Sequence, residues 1–255
     1  MGGTKKKDNL ISSTMSLGEH IEELRMRLLY ALAGLAVCSV AGFYFGFKVI
    51  HFMEDPYLAV MGEEARMQAL GPADGFLSYV KISLITGLVI SSPWVFYHIW
   101  MFVAAGLYQH EKRYVRYAVP FSAVLFIAGS LFFIIVVAPL TLGFLVKMND
   151  FLDLNSTYSF PLYISFMTHL MLVFGIAFQT PTAIFFLNKT GLVSIKAMSK
   201  SRKYVLLVIV IVAAMATPPD VVSQVALAIP LYFLFELGIL LCYISDRRKA
   251  SQNKQ

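Results

Sequence analysis

Two short stretches carry the carboxylates with a chemical use. "HIEELRMRLL", His20 to Leu29, sets Glu22 and Glu23 beside Arg25 and Arg27, directly before a long apolar run. "GLYQHEKRYVRY", Gly106 to Tyr117, has Glu111 as its only acid, flanked by His110, Lys112 and Arg113. An ionised carboxylate only accepts hydrogen bonds, so each acid needs a donor or a cation. On a helix, Glu23 meets Arg27 at i,i+4 and Glu22 meets Arg25 at i,i+3. Exposed pairs of this kind contribute about 0.3–0.5 kcal/mol. The alternative is a basic partner from outside, since acids fit poorly beside an anionic leaflet. Glu111 reads as a solvated loop charge or as a second such acid.

Other chemistries find little support. "HEKRY" begins like a zinc-protease helix, but Tyr114 stands where H-E-x-x-H needs histidine. His20, His51, His98, His110 and His169 are scattered across different segments, with no ligand spacing and no catalytic pairing. The sequence therefore predicts no metal site, no cofactor and no enzyme. Cys38 and Cys242 both lie in apolar segments and read as small buried hydrophobes.

The elements that position these residues are membrane helices. Of 255 residues, 58% are hydrophobic and 14% charged, and the mean hydropathy is +0.70. Soluble domains carry roughly 25% charged residues. The net charge of +6 does not point to nucleic acid, because the basic residues punctuate apolar runs and form no patch. A span needs roughly 20 apolar residues. Leu28–Phe47, Phe76–Phe102, Tyr117–Pro139 and Leu162–Leu187 each supply that, and a fifth block runs from Tyr204 to Ile244. "TPPD", Thr217 to Asp220, breaks the block, because proline cannot continue a helix. The fold class is thus all-α, with six transmembrane helices, the last two short and joined by a hairpin. Residues 1–255 form one membrane domain: an N-terminal segment at 1–27, the bundle at 28–244 and a tail at 245–255.

Orientation follows from charge. Lys5 to Lys7, Arg25 and Arg27, the 112–116 loop, the 189–203 loop and the tail hold seventeen of the 21 lysines and arginines. Lys48, Arg66, Lys81 and Lys147 lie on the other side. Positive charge marks the cytoplasmic side, so both termini are expected there. The N-terminal segment lacks the apolar core of a secretory signal peptide, the composition of a transit peptide and a myristoylation pattern. Ser16 and Glu19 fit a capping box, and Leu17, Ile21, Leu24 and Leu28 recur on one helical face. Glu19, Glu22 and Glu23 are then expected on the opposite face, turned to water.

Gln179, Gln224 and Glu236 fall inside apolar segments, and Asp220 at a turn. Such residues bind a partner helix or satisfy a neighbour in the bundle. Gly42 and Gly46 fit G-x-x-x-G, which supports a packing role. Pro93, Pro120, Pro181 and Pro230 interrupt spans.

"HIEELRMRLL", "MFVAAGLYQHEKR" (Met101–Arg113), "FGIAFQTP" (Phe174–Pro181) and "TPPDVVSQVALAIPLYFLFELG" (Thr217–Gly238) together resemble the TatC family, the large polytopic subunit of the twin-arginine protein translocase. The resemblance covers nearly the whole chain in order. It implies a receptor in the cytoplasmic membrane of a prokaryote. Such a receptor binds twin-arginine signal peptides of folded cargo, assembles with TatA-type and TatB-type single-span partners and with further copies of itself among membrane lipids, and uses the proton motive force. It assigns signal-peptide recognition to Glu23 and Glu111, supported by Leu24, Arg25, Phe102 and His110. It leaves Glu22 as a partner for Arg25. It sets Gln224 near a partner-binding groove, and makes Pro56 and Asp220 structural loop residues. Two departures stand out: the family often has glutamate at the position of Gln179, and proline at that of Ala105. A small-solute secondary transporter would also suit six spans with broken helices, although no inverted repeat is visible.

Overall fold

The computed structural model describes residues 17–107, 112–216 and 221–252. Among these the chain is helical, and the only β contact is an isolated bridge between Gln68 and Ser159. The helices, in order, are α1 (Leu17–Met61), α2 (Asp74–Ala105), α3 (Lys112–Phe132), α4 (Ala138–Phe151), α5 (Phe160–Ala177), α6 (Thr180–Lys189), α7 (Ile195–Lys200), α8 (Arg202–Ala216) and α9 (Val221–Gln252). A π-helical turn, Phe133–Val137, joins α3 to α4. Its i→i+5 bond, Ala138 N–H to Phe133 O, comes just before Pro139, which has no N–H to give. The wide turn absorbs the proline without breaking the rod.

Five stretches of the described residues are long and apolar enough to cross a membrane: Gly18–Met61, Asp74–Ala105, Lys112–Phe151, Phe160–Lys189 and Gln224–Arg247. The final pair departs from expectation, because only α8 is short. It has 15 residues, about 22 Å of helix against a hydrocarbon core of about 30 Å. By contrast, α9 has 32. The "TPPD" turn itself, including Asp220, lies outside the described residues.

The 45 residues of α1 reach about 68 Å. The segment before the first span, the span and the stretch beyond it are therefore one helix. Pro56 corrects a second expectation: it is buried inside α1, not in a loop. Proline has no N–H for the carbonyl four residues back, that of Phe52, and its ring crowds that turn. In the same turn, Met53 O accepts from the buried Tyr163 hydroxyl at 2.6 Å, so a side chain from α5 braces the turn that the proline disturbs. Pro93, Pro120 and Pro230 likewise sit within continuous helices. Only Pro181 marks a break, where α5 ends and α6 restarts with proline in its first turn. Cys242 is buried, whereas Cys38 is only half-buried.

The largest fully buried side chains include Phe133, Phe174, Met53, Ile82, Ile164 and Met167, which knit α1, α2, the π turn and α5 together. Lipid is as apolar as these side chains, so shape and close contact hold such helices together more than solvent exclusion does. The α1–α2 contact illustrates this. A Cβ added at Gly42 would lie 2.1 Å from Ser83 O, and one at Gly46 2.8 Å from Ser83 Oγ. Backbone meets backbone there, as the G-x-x-x-G spacing suggested. Gly42→Ala should therefore destabilise the protein by about 1–3 kcal/mol, the usual effect of overpacking. Gly75→Ala, which meets open space, should be neutral or slightly stabilising; thermal unfolding in detergent reads both.

Candidate functional site

His20, Glu23, Arg27 and Tyr30 recur at spacings of three, four and three, which places them on one stripe of α1. That stripe faces α2. The His20 ring stacks on Phe102 with centroids 4.6 Å apart, and Tyr30 stacks on His98 at 5.7 Å. Trp94 Nε1 donates to Tyr30 O at 2.9 Å. Between these two ring pairs, Arg27 Nε donates to Glu23 Oε1 at 2.8 Å, and Arg27 Nη2 donates to the same oxygen. The other oxygen, Glu23 Oε2, is buried with no hydrogen-bond partner. The Glu23 and Arg27 side chains are only 18% and 22% exposed.

Glu23 is thus not turned to water. The residues on the outer face are Ile21, Leu24 and Leu28, all exposed. Glu19 and Glu22 are exposed as expected and Glu23 is not: beside a bilayer the apolar stripe faces outward, and a polar side chain on the other face seeks the protein. Glu22 and Arg25 are exposed on the outer side, and no ion pair joins them. Two solvated side chains gain too little from pairing to offset the freedom they would lose. Leu24 and Arg25 are therefore exposed away from the α1–α2 seam, whereas Phe102 lies in it, stacked on His20.

Two histidines belong to this region. His98 is buried, and neither ring nitrogen has a partner. Trp94 and Tyr97 flank it with centroids at 4.6 and 5.3 Å. Counted as scattered in the sequence, His20 and His98 are brought to one seam by the antiparallel helices. The available signal was the register of His20 with Glu23 and Arg27. His110 and Glu111 lie outside the described residues, between Leu107 and the start of α3 at Lys112.

The intramembrane polar residues are satisfied within the chain. Gln179 Nε2 donates to Ser122 O at 3.0 Å, while Ser122 Oγ accepts from buried Trp100 Nε1 at 2.8 Å. This ties α2, α3 and the α5–α6 break together. Gln224 Nε2 donates to Val210 O at 3.0 Å, so α9 holds α8. Glu236 pairs with Arg202 at 2.8 Å and accepts from Tyr232 at 3.0 Å. An apolar groove of about 920 Å³ opens beside Arg113, walled by Tyr117, Phe121, Val124, Phe186 and Ile244. No cluster of three or more His, Cys, Asp or Glu able to hold a metal occurs among the described residues.

A family model described as "TatC: Sec-independent protein translocase protein (TatC)" matches residues 19–230. The chain is similar to proteins of that name from three bacteria. It is 35% identical to that of Aquifex aeolicus, covering 94% of this chain and all of the relative. It is 35% identical to that of Desulforapulum autotrophicum, over 93% and 87% of the two chains. It is 35% identical to that of Escherichia coli K12, over 90% and 88%. Two solved structures, both titled as crystal structures of the twin arginine translocase receptor TatC, superpose with TM-scores of 0.78 and 0.80. They are 34% and 35% identical to this chain; the alignments cover 89% and 87% of it, and 99% and 98% of the solved chains.

The Trp100–Ser122 bond gives a direct test of packing by polar groups. Ser122→Ala should cost about 0.6–1.7 kcal/mol, the range for hydrogen bonds between membrane helices. In a Trp100→Phe background the same change should cost clearly less; thermal unfolding of the four proteins measures that coupling.

Proposed function

The chain belongs to the TatC family of Sec-independent protein translocase proteins, and from that membership we propose that it is the receptor subunit for twin-arginine signal peptides. In this reading Glu23 accepts one signal arginine and Glu111 the other, at the cytoplasmic face. Glu23 carries the argument: its carboxylate is turned into the α1–α2 seam, already engages a guanidinium, and keeps one buried oxygen without a donor. A guanidinium is planar, permanently charged and forked, so it can engage both carboxylate oxygens at once. A lysine ammonium offers a point charge without that fork.

The rest of the proposal is topological and cooperative. Six spans place both termini in the cytoplasm of a bacterium, with α8 crossing where the bilayer thins around it. Cysteines placed at Arg66 and Asp153, in a background with Cys38 and Cys242 replaced by serine, should react with an impermeant maleimide in spheroplasts. One placed at Lys200 should react only after permeabilisation. TatA-type and TatB-type helices, and further copies of this chain, complete the translocase, and the proton motive force drives the passage of folded cargo. Since Gln224 and Glu236 already serve α8 and its first residue, a partner helix would meet a hairpin that is internally braced.

Glu23→Gln and Glu111→Gln should each weaken binding of a labelled Arg-Arg signal peptide about 10- to 100-fold, the range for loss of one charge-assisted hydrogen-bonded contact. Both variants should still insert; Glu23→Gln should unfold at a lower temperature than the wild type, because Arg27 loses its ion-pair partner. Equal binding of Arg-Arg and Lys-Lys peptides by the wild type would count against guanidinium recognition.

A further inference from the structure

The recognition carboxylate is occupied by the chain's own arginine. We propose that Arg27 is an internal ligand of Glu23 which a visiting guanidinium displaces, and that His98 receives Arg27 once it is displaced. The inference rests on the reading of Glu23 given above and adds a residue that sets the affinity of the site.

Arg27 spends two donors on one oxygen, Oε1, and leaves Oε2 buried and empty. A carboxylate oxygen buried without a donor is costly. Arg27, reaching along its own helix from i+4, approaches from one side only. An arginine arriving from outside the helix is free to lie across the carboxylate plane and satisfy both oxygens. The resting contact is therefore the poorer of the two, as an exchangeable ligand must be.

A displaced Arg27 also has a destination. Arg27 is largely shielded, and a shielded charge stripped of its partner is strongly unfavourable. His98 lies one stripe position further along the seam, beneath Tyr30. Its ring nitrogens are both unpartnered among the described residues, and its ring stacks on Tyr30, the next residue of the Arg27 stripe. A neutral imidazole nitrogen accepts from a guanidinium. The flanking faces of Tyr30 and Trp94 add cation–π attraction. Swinging Arg27 from Glu23 towards His98 exchanges one partner for another and gives the unpaired imidazole a donor.

Such an internal ligand also bears on specificity. A competitor within the chain reduces the fraction of receptor open to binding, so it lowers the affinity for every cationic ligand by the same factor. It does not change the ratio between arginine and lysine. It lowers both, and lysine, which lacks the fork, then falls below useful affinity first.

The test uses the full chain in nanodiscs, with fluorescent Arg-Arg and Lys-Lys peptides titrated at fixed salt. Arg27→Gln should bind both peptides about three- to ten-fold more tightly, with their ratio unchanged, as removal of an internal competitor requires. Arg27→Lys keeps the local charge and loses the fork, so it should bind more tightly by a smaller factor; it also serves if the glutamine variant does not fold. His98→Phe, which keeps the stacked ring, should weaken Arg-Arg binding several-fold and have no effect in the Arg27→Gln background. Weaker or unchanged binding by both Arg27 variants would overturn the internal-ligand role and make Arg27 a residue that orients Glu23 or a bystander. An effect of His98→Phe that persists without Arg27 would overturn the receiving role. If Glu23→Gln binds the Arg-Arg peptide as the wild type does, the Glu23 reading itself fails. A loss there together with looser Arg27 variants refutes only the exchange.

Discussion

The backbones of α1 and α2 touch at Gly42, where even a methyl group would collide with Ser83 O, and the geometry of the acid site follows from that contact. Close approach fixes the separation of the two helices. Rotation is fixed further along, where Trp94 Nε1 bonds Tyr30 O and the ring pairs Tyr30–His98 and His20–Phe102 interlock. With separation and rotation both set, Glu23 and Arg27 have no choice of face. A wider seam would let water to the carboxylate, and Glu23 would become an ordinary surface acid whose pairing is worth little.

The bilayer explains which features were legible in the sequence. Apolar length announces spans by itself, so four of the five long helices followed from runs of about 20 residues. Helix ends did not, because α1 continues through Pro56 and past both limits of its apolar run. A proline reads as a stop in sequence, but Tyr163 from α5 serves Met53 O, a contact 110 residues away that no local pattern reveals. The same limit applies at the site. The i,i+4 spacing predicted the Glu23–Arg27 pair, and the family resemblance singled out Glu23. Which acid turned inward depended on α2, so Glu23 was expected in water together with Glu19 and Glu22, which are exposed. His98 was invisible as a site residue, since the ring it stacks on, Tyr30, comes from α1.

In the C-terminal half, polar groups close on one another. Gln179 and Trp100 share Ser122, Gln224 holds Val210 O, and Arg202 and Tyr232 hold Glu236. Each bond joins separate helices or steadies the α8–α9 pair, and each leaves its members satisfied, the condition under which buried polar networks stabilise a structure. Glutamine at position 179 fits that role, because its amide donates to a carbonyl as an ionised glutamate could not. At the α1–α2 seam the unpartnered atoms belong to titratable groups: Glu23 Oε2 on α1 and both nitrogens of His98 on α2 have no hydrogen-bond partner among the described residues. Folding alone gives no reason to keep them so.

A receptor for a cation at the edge of a membrane faces opposing demands. It needs a carboxylate shielded enough to bind strongly, yet an empty shielded carboxylate is unstable in the resting state. An internal arginine resolves the conflict by neutralising the site between visits. The same arginine then sets a ceiling on affinity, since every ligand must compete with it. It also speeds release, because the departing peptide leaves a carboxylate that the chain itself can re-cover. For a site that must let its cargo proceed, the ceiling is useful. Recognition by exchange also fits the way the two donors of Arg27 crowd one oxygen: Oε2 is shielded and without a donor at rest, and an arginine that displaces Arg27 can satisfy both oxygens.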